Sequence, residues 1–391
     1  MSFRMPCSAR RSALTALLGA TLLGLAACAP QPPQPAFVGL APPIGGQAPQ
    51  SQVARAGLLL PLTGAQAPLG QAMLNASFMA LFDEAPAGVE FAPRDTGGTP
   101  AGAAAAARSA IADGARVLVG PLTSAETAAV ADPARAAGVP VLAFTNDPQR
   151  AAPGVWVIGV TPNQQVRRVV AAAAAQGSQR FGLAAVDNEF GRALAQALRG
   201  AVGDLGLPPP VIVLHPGGAD AAMAASGARP QLRQVDALLI GEAGERARRF
   251  ATGWAADQPE GGPRPRLLGT ALWLGDATLA AEPALAGAWF PGPDGRARAR
   301  FEARYREAFQ EAPPRVAAVA YDSAALAART LRGGGRDPVA ATSVDALAGA
   351  DGPLRLLAGG QTLRGLAVYA LSAGTEPTVV EPAPVPGAAG F

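Results

Sequence analysis

Side chains able to do covalent or metal chemistry are scarce in this chain of 391 residues. The 32 residues of its Lys+Arg count are all arginine. Without lysine there is no Schiff base and no phosphate-loop lysine, which excludes pyridoxal enzymes and Walker-type nucleotide hydrolases. One histidine, His215, and two cysteines, Cys7 and Cys28, leave too few ligands for a zinc centre and no dithiol for redox work. Serine is present, but no positioned His or Lys offers it a base. The composition points away from catalysis, and no cofactor or metal is expected.

What remains is recognition. Thr123 and Ser124 stand where an apolar run gives way to an alanine-rich stretch. A strand handing over to a helix there would gather backbone N–H groups, a positive helix end and two hydroxyls into an anion-binding corner. The same residues also suit a helix N-cap, and the two roles are compatible. Glu242, after another apolar run, reads either as an acceptor for an ammonium or amide, or as a first-turn glutamate paired with Arg246. His215, before Pro216-Gly217-Gly218, reads as a strand-end turn residue. The arginine-rich stretches 245–249 and 296–306 carry interspersed glutamates and read as solvated helix faces.

Those residues need a scaffold, and the pattern supplies one. Short apolar runs at 56–60, 89–92, 116–120, 139–144, 155–159, 181–186, 210–214, 237–241 and 266–269 read as strands buried on both faces. Helical stretches lie between them at 69–82, 100–113, 124–137, 164–175, 191–205 and 242–255. Thr99-Pro100 is an N-cap followed by proline at the first helical position, and Gly114, Gly138 and Gly206 mark helix ends. Strands alternating with helices predict an α/β fold with parallel, doubly wound sheets.

The N-terminus carries an address. Arg4, Arg10 and Arg11 precede a charge-free apolar run over 12–27, the layout of a secretory signal and too short to span a bilayer comfortably. The run ends in Leu25-Ala26-Ala27-Cys28, which resembles the lipobox of bacterial lipoproteins. That resemblance implies cleavage before Cys28 and lipidation of its sulfur. Removing 1–27 leaves 29 arginines against 29 acidic residues, so the basic pI implies no nucleic-acid partner. Residues 29–54 hold seven prolines and read as an extended tether reaching on the order of 50 Å. A second Pro/Ala segment, 375–391, reads as a loose tail.

Six segments in fixed order carry a family resemblance: Leu58-Leu59-Leu60-Pro61-Leu62-Thr63-Gly64; Arg94-Asp95-Thr96-Gly97-Gly98-Thr99-Pro100; Val117 to Ser124; Gly138 to Asn146; Asp187-Asn188-Glu189-Phe190-Gly191; and Ala320-Tyr321-Asp322-Ser323-Ala324. Over 55–330 this order resembles the type I periplasmic binding proteins of the Leu/Ile/Val-binding family. The wording at 95–100 and 144–147 resembles the lipoproteins that activate penicillin-binding proteins. The resemblance implies two lobes joined by three crossovers with a cleft between them. Lobe one is expected to hold 55–160 plus 289–350, and lobe two 161–288 plus 351–374.

It also implies a site. Thr123 and Ser124 would hold a ligand carboxylate, with Thr145 and Asn146 on its other side. Phe190 stands where relatives place an aromatic over the ligand, and Trp273 where amino-acid binders place an acid. That last departure counts against an α-amino-acid ligand. Two functions follow. One is a periplasmic solute-binding lipoprotein passing an amino-acid- or amide-like ligand to an ABC permease; the other is a non-catalytic regulator of peptidoglycan synthesis whose partner is a penicillin-binding protein. Either is expected in the periplasm, held by its lipid, and at the outer membrane because Ala29 follows Cys28.

Overall fold

The computed structural model describes residues 53–84, 88–256 and 264–387. The signal peptide, Cys7, Cys28 and all but the last two residues of the tether lie outside the described residues. The first lobe is built on a parallel sheet of β1 (Ala54–Leu60), β2 (Val89–Asp95), β3 (Ala115–Val119), β4 (Val141–Ala143) and β5 (Val155–Val157), in the order β2-β1-β3-β4-β5. Along β1, Leu58 and Leu60 enter one core and Leu59 the opposite one, as the two-residue repeat of a strand buried on both faces requires. α1 (Ala67–Glu84) covers the Leu58 side, while α2 (Pro100–Ala112) and α3 (Ser124–Ala136) pack together on the Leu59 side.

The second lobe repeats the plan. Strands β6 (Phe181–Val186), β7 (Val211–His215), β8 (Ala237–Ile240), β9 (Arg266–Leu268) and β10 (Trp289–Gly292) run parallel. One face carries α4 (Pro162–Ala175) and α5 (Glu189–Asp204); the other carries α6 (Ala221–Leu232), α7 (Gly244–Ala256) and the short α8 (Ala277–Ala280). The chain then returns to the first lobe. α9 (Gly295–Phe309) and α10 (Ala317–Arg332) join the Leu58-side core, and so does a small antiparallel sheet of β11 (Leu347–Gly349), β12 (Gly352–Leu356) and β13 (Thr362–Arg364). Finally β14 (Ala367–Ala370) pairs antiparallel with β10, and β15 (Thr378–Glu381) with β14, completing a seven-stranded sheet.

Three expected boundaries move. Trp289–Gly292 belongs to the second sheet, between β9 and β14, so the chain leaves that lobe after Gly292. Residues 352–356 pair with β11, and 362–364 with 352–356, against the first-lobe core, so only 367 onward enters the second sheet. The 375–391 tail is not wholly loose: β15 pairs with β14, and Arg168 bonds Glu381 at 2.8 Å.

The crossings are laced together. Trp156 Nε1 donates to the Leu357 carbonyl at 2.8 Å, Thr362 Oγ1 to the Val157 carbonyl at 2.7 Å, and Tyr369 to the Pro293 carbonyl at 2.7 Å. Beneath them Arg364 Nη1 meets Asp322 Oδ2 at 2.7 Å, both side chains wholly buried. Arg364 Nη2 also donates to the Ile158 carbonyl at 3.2 Å, and Asp322 Oδ1 accepts from Ala350 N at 2.6 Å. Position 349 has to be glycine, because a Cβ there would lie 2.5 Å from Asp322 Oδ1.

Candidate ligand cleft at the strand ends

The first crossing leaves β5, and the second β10, at the carboxyl end of a parallel strand. The carboxyl ends of both sheets therefore border the crossovers and the cleft between the lobes, where helix N-termini converge. On the first-lobe side three loops meet. The loop after β1 is pinned by Asp95, whose Oδ1 accepts from Leu62 N (2.9 Å), Thr63 N (3.2 Å) and Gly97 N (2.8 Å), while Oδ2 accepts from Thr63 Oγ1 (2.6 Å). The bond from the Thr63 hydroxyl, joined by these amides, holds the Asp95 carboxyl below the usual carboxylate range.

Thr123 is the N-cap of α3. Its hydroxyl accepts from Glu126 N at 3.2 Å and donates to Glu126 Oε2 at 2.8 Å, and its own N–H donates to the same oxygen at 2.9 Å. This is a complete capping box, closed by a glutamate with no exposed surface. Ser124 Oγ donates to Asp147 Oδ2 at 2.5 Å. Thr145 is buried, and its Oγ1 accepts from Asp147 N at 3.1 Å; Asn146 beside it is exposed. Asp147 also takes bonds from Gln149 N (3.0 Å) and Arg150 Nε (3.2 Å). Burial works against its charge, yet the Ser124, Gln149 and Arg150 donors prevail and hold it below the ordinary range.

The structure thus brings the loops bearing Thr123, Ser124, Thr145 and Asn146 together, and the residue joining them is Asp147. The hydroxyl protons of Thr123 and Ser124 are engaged by the chain's own carboxylates, Glu126 and Asp147, while the Thr145 hydroxyl is buried and accepts from Asp147 N. Neither acid was among the expected site residues. The T-x-x-E spacing of Thr123 and Glu126 is a capping-box signal readable in the sequence; the Ser124–Asp147 contact joins residues 23 positions apart and has no local signature.

On the second lobe, Phe190 lies in the first turn of α5, half-buried against the α4–α5 core. Glu242 is buried; its carboxylate takes Arg246 at 2.9 and 3.0 Å, and His215 Nε2 lies 3.1 Å from Oε1. Trp273 has no exposed surface, packs on Phe290, and donates its indole N–H to the Glu242 carbonyl at 2.8 Å. Glu242 and Trp273 are therefore neighbours, but Trp273 is a core side chain that shows no face to a ligand. His215, expected as a strand-end turn residue, is the last residue of β7, buried with its ring over Phe250. Among the described residues no group of three or more His, Cys, Asp or Glu is placed to hold a metal, and no helix is long and apolar enough to cross a membrane.

The sequence profile of the periplasmic binding protein family matches residues 54–369. Comparison with curated protein sequences found no match. Among solved structures, a putative branched-chain amino acid ABC transporter from Rhodospirillum rubrum superposes with a TM-score of 0.73 at 21% identity, covering 84% of this chain and 100% of that one. LpoA from Haemophilus influenzae gives a TM-score of 0.68 at 18% identity over 84% of this chain and 59% of its own. LivJ from Streptococcus pneumoniae, solved in complex with isoleucine, gives 0.57 at 18% identity over 84% and 100%. At these identities what is shared is the two-lobed fold.

Proposed function

Since the chain belongs to the periplasmic binding protein family, a family of non-catalytic binding and regulatory proteins, we propose that it is a lipid-anchored regulator of peptidoglycan synthesis whose partner is a penicillin-binding protein. The supporting observation is Asp147, which takes the Ser124 hydroxyl at 2.5 Å and is held ionised. A ligand carboxylate competing for that hydroxyl would sit roughly 5 Å from a like charge. At an effective dielectric of about 20 that repulsion is about 3 kcal/mol, or somewhat over a hundredfold in affinity. The buried Trp273 and the engaged Glu242 leave no evident counterpart for an α-ammonium. The Pro-rich tether behind Cys28 suits a protein that must reach a partner beyond the membrane surface, and the likeness to LpoA, a penicillin-binding protein activator, runs the same way.

One observation favours a second reading. The exposed Asn146 amide and the N-terminus of α3 remain at the cleft, and they suit a neutral, amide-like solute delivered to an ABC permease. A thermal-shift panel of amino acids, small amides and cell-wall peptides separates the two. Ligand-linked stabilisation grows with the logarithm of concentration. The regulator reading expects no amino acid to raise the melting temperature at millimolar concentration; a saturable rise with an amide or amino acid favours the solute receptor.

A further inference from the structure

A half-open hollow of about 230 Å3 lies in the first lobe between α1, α9, α10 and the end of β11, lined by none of the residues named at the cleft. Its walls are apolar, formed by Met79, Phe301 and the ring of Tyr321, with the backbone of Gly349 at one end. The rim is cationic. Arg304 there is bonded to Asp83, but Arg300 is exposed and has no ion-pair partner among the described residues. Arg296, one turn earlier on α9, is also exposed and unpaired among the described residues. Phe82, one turn beyond Met79 on α1, is 84% exposed. An unpaired guanidinium, that of Arg300, therefore adjoins an apolar hollow, with the unpaired Arg296 one turn away on the same side of α9.

The spacings match an extended chain. Arg296 and Arg300 are about 6 Å apart along the helix axis. Alternate side chains of an extended peptide point the same way at about 6.6 Å intervals. Two carboxylates at positions i and i+2 would meet Arg296 and Arg300, and the side chain at i+4 would come next in line, at the cavity. We propose that this face is a docking surface for an extended acidic segment of a partner protein, with two carboxylates on Arg296 and Arg300 and a bulky apolar side chain in the cavity. The face shares no residue with the cleft, so a negative cleft experiment leaves it standing.

The test is fluorescence anisotropy of a labelled Gly-Glu-Ser-Glu-Ser-Phe-Gly peptide against the full-length protein at low salt. Saturable binding is expected. It should weaken at least tenfold with Arg300→Glu, and equally when the peptide phenylalanine is replaced by alanine or its glutamates by glutamine. Arg199→Glu, an exposed arginine on α5 with no bearing on this face, makes the same charge change and should leave binding intact. Circular dichroism checks that both variants fold. The proposal is overturned by absent saturable binding, by equal losses at Arg300 and Arg199, or by indifference to the phenylalanine. It is likewise overturned if the chain self-associates through this face, seen as a dimer in sedimentation that Arg300→Glu abolishes.

Discussion

Replacing Arg364 by methionine removes the guanidinium that neutralises Asp322 beneath the crossovers and leaves that carboxylate with one bond, from Ala350 N. Both side chains are wholly buried, so water does not take over the lost contact. Breaking one half of such a pair costs about 3–5 kcal/mol, most of it the burden of an uncompensated buried charge. Arg364→Met should therefore lower unfolding stability by that amount at pH 7.5. The double variant Asp322→Asn/Arg364→Met removes both charges while keeping the acceptor for Ala350 N, and should recover most of the loss. The pH dependence has a definite sign. Burial pushes Asp322 up to about 6 despite the pull of Arg364, so between pH 4 and 6 the folded protein binds more protons than the unfolded chain. The stabilisation this group contributes is full below its ordinary value of 3.8 and is lost as pH rises through about 6, an amount of about 3 kcal/mol. Asp322→Asn should flatten that slope. Urea unfolding followed by tryptophan fluorescence reads all three, with Trp156 reporting beside the crossings. A loss below about 1 kcal/mol for Arg364→Met, or a double variant as damaged as the single one, would refute the reasoning.

Asp147→Asn keeps the turn but removes the charge facing Ser124; a simple carboxylate without an ammonium, such as isovalerate at millimolar concentration, should then raise the melting temperature of the variant and not of the wild type. Thr123→Val keeps the shape and deletes the capping hydroxyl, and should cost about 1 kcal/mol in urea unfolding. A value near zero would mean that the capping box carries no weight. Cys28→Ser leaves no thiolate to accept a diacylglyceryl group, so labelling with a palmitate analogue should vanish; equal labelling of the variant would end the lipoprotein proposal.

The strands were legible where both faces are buried, because runs such as 56–60 and 237–241 carry their apolar signal locally. α6 was not, since Gly227 and Pro230 interrupt its pattern; its place against α7 is decided by packing. β15 hides in a proline-rich tail because it is an exposed edge strand whose pairing partner supplies the order. Trp289–Gly292 pairs two aromatics with a Pro-Gly step that reads as a chain break, and its place in the second sheet depends on β9 and β14, contacts no local pattern encodes. The candidate site followed the same division. Residue type and position at strand ends were readable, and so was the Glu242–Arg246 pairing four residues apart. Who occupies each donor was not: Ser124 meets Asp147 across two loops, and Trp273 turns inward because its ring fills the space between Gly269 and Phe290.

We propose that this two-lobed body acts on a partner enzyme and does not ferry an amino acid. The direct measurement is glycan polymerisation and cross-linking by a penicillin-binding protein from the same organism, reconstituted in liposomes with and without the lipidated full-length protein. A several-fold, saturable stimulation that survives Thr145→Val is expected. No stimulation at saturating protein, together with tight binding of an amino acid by the wild-type chain, would contradict it.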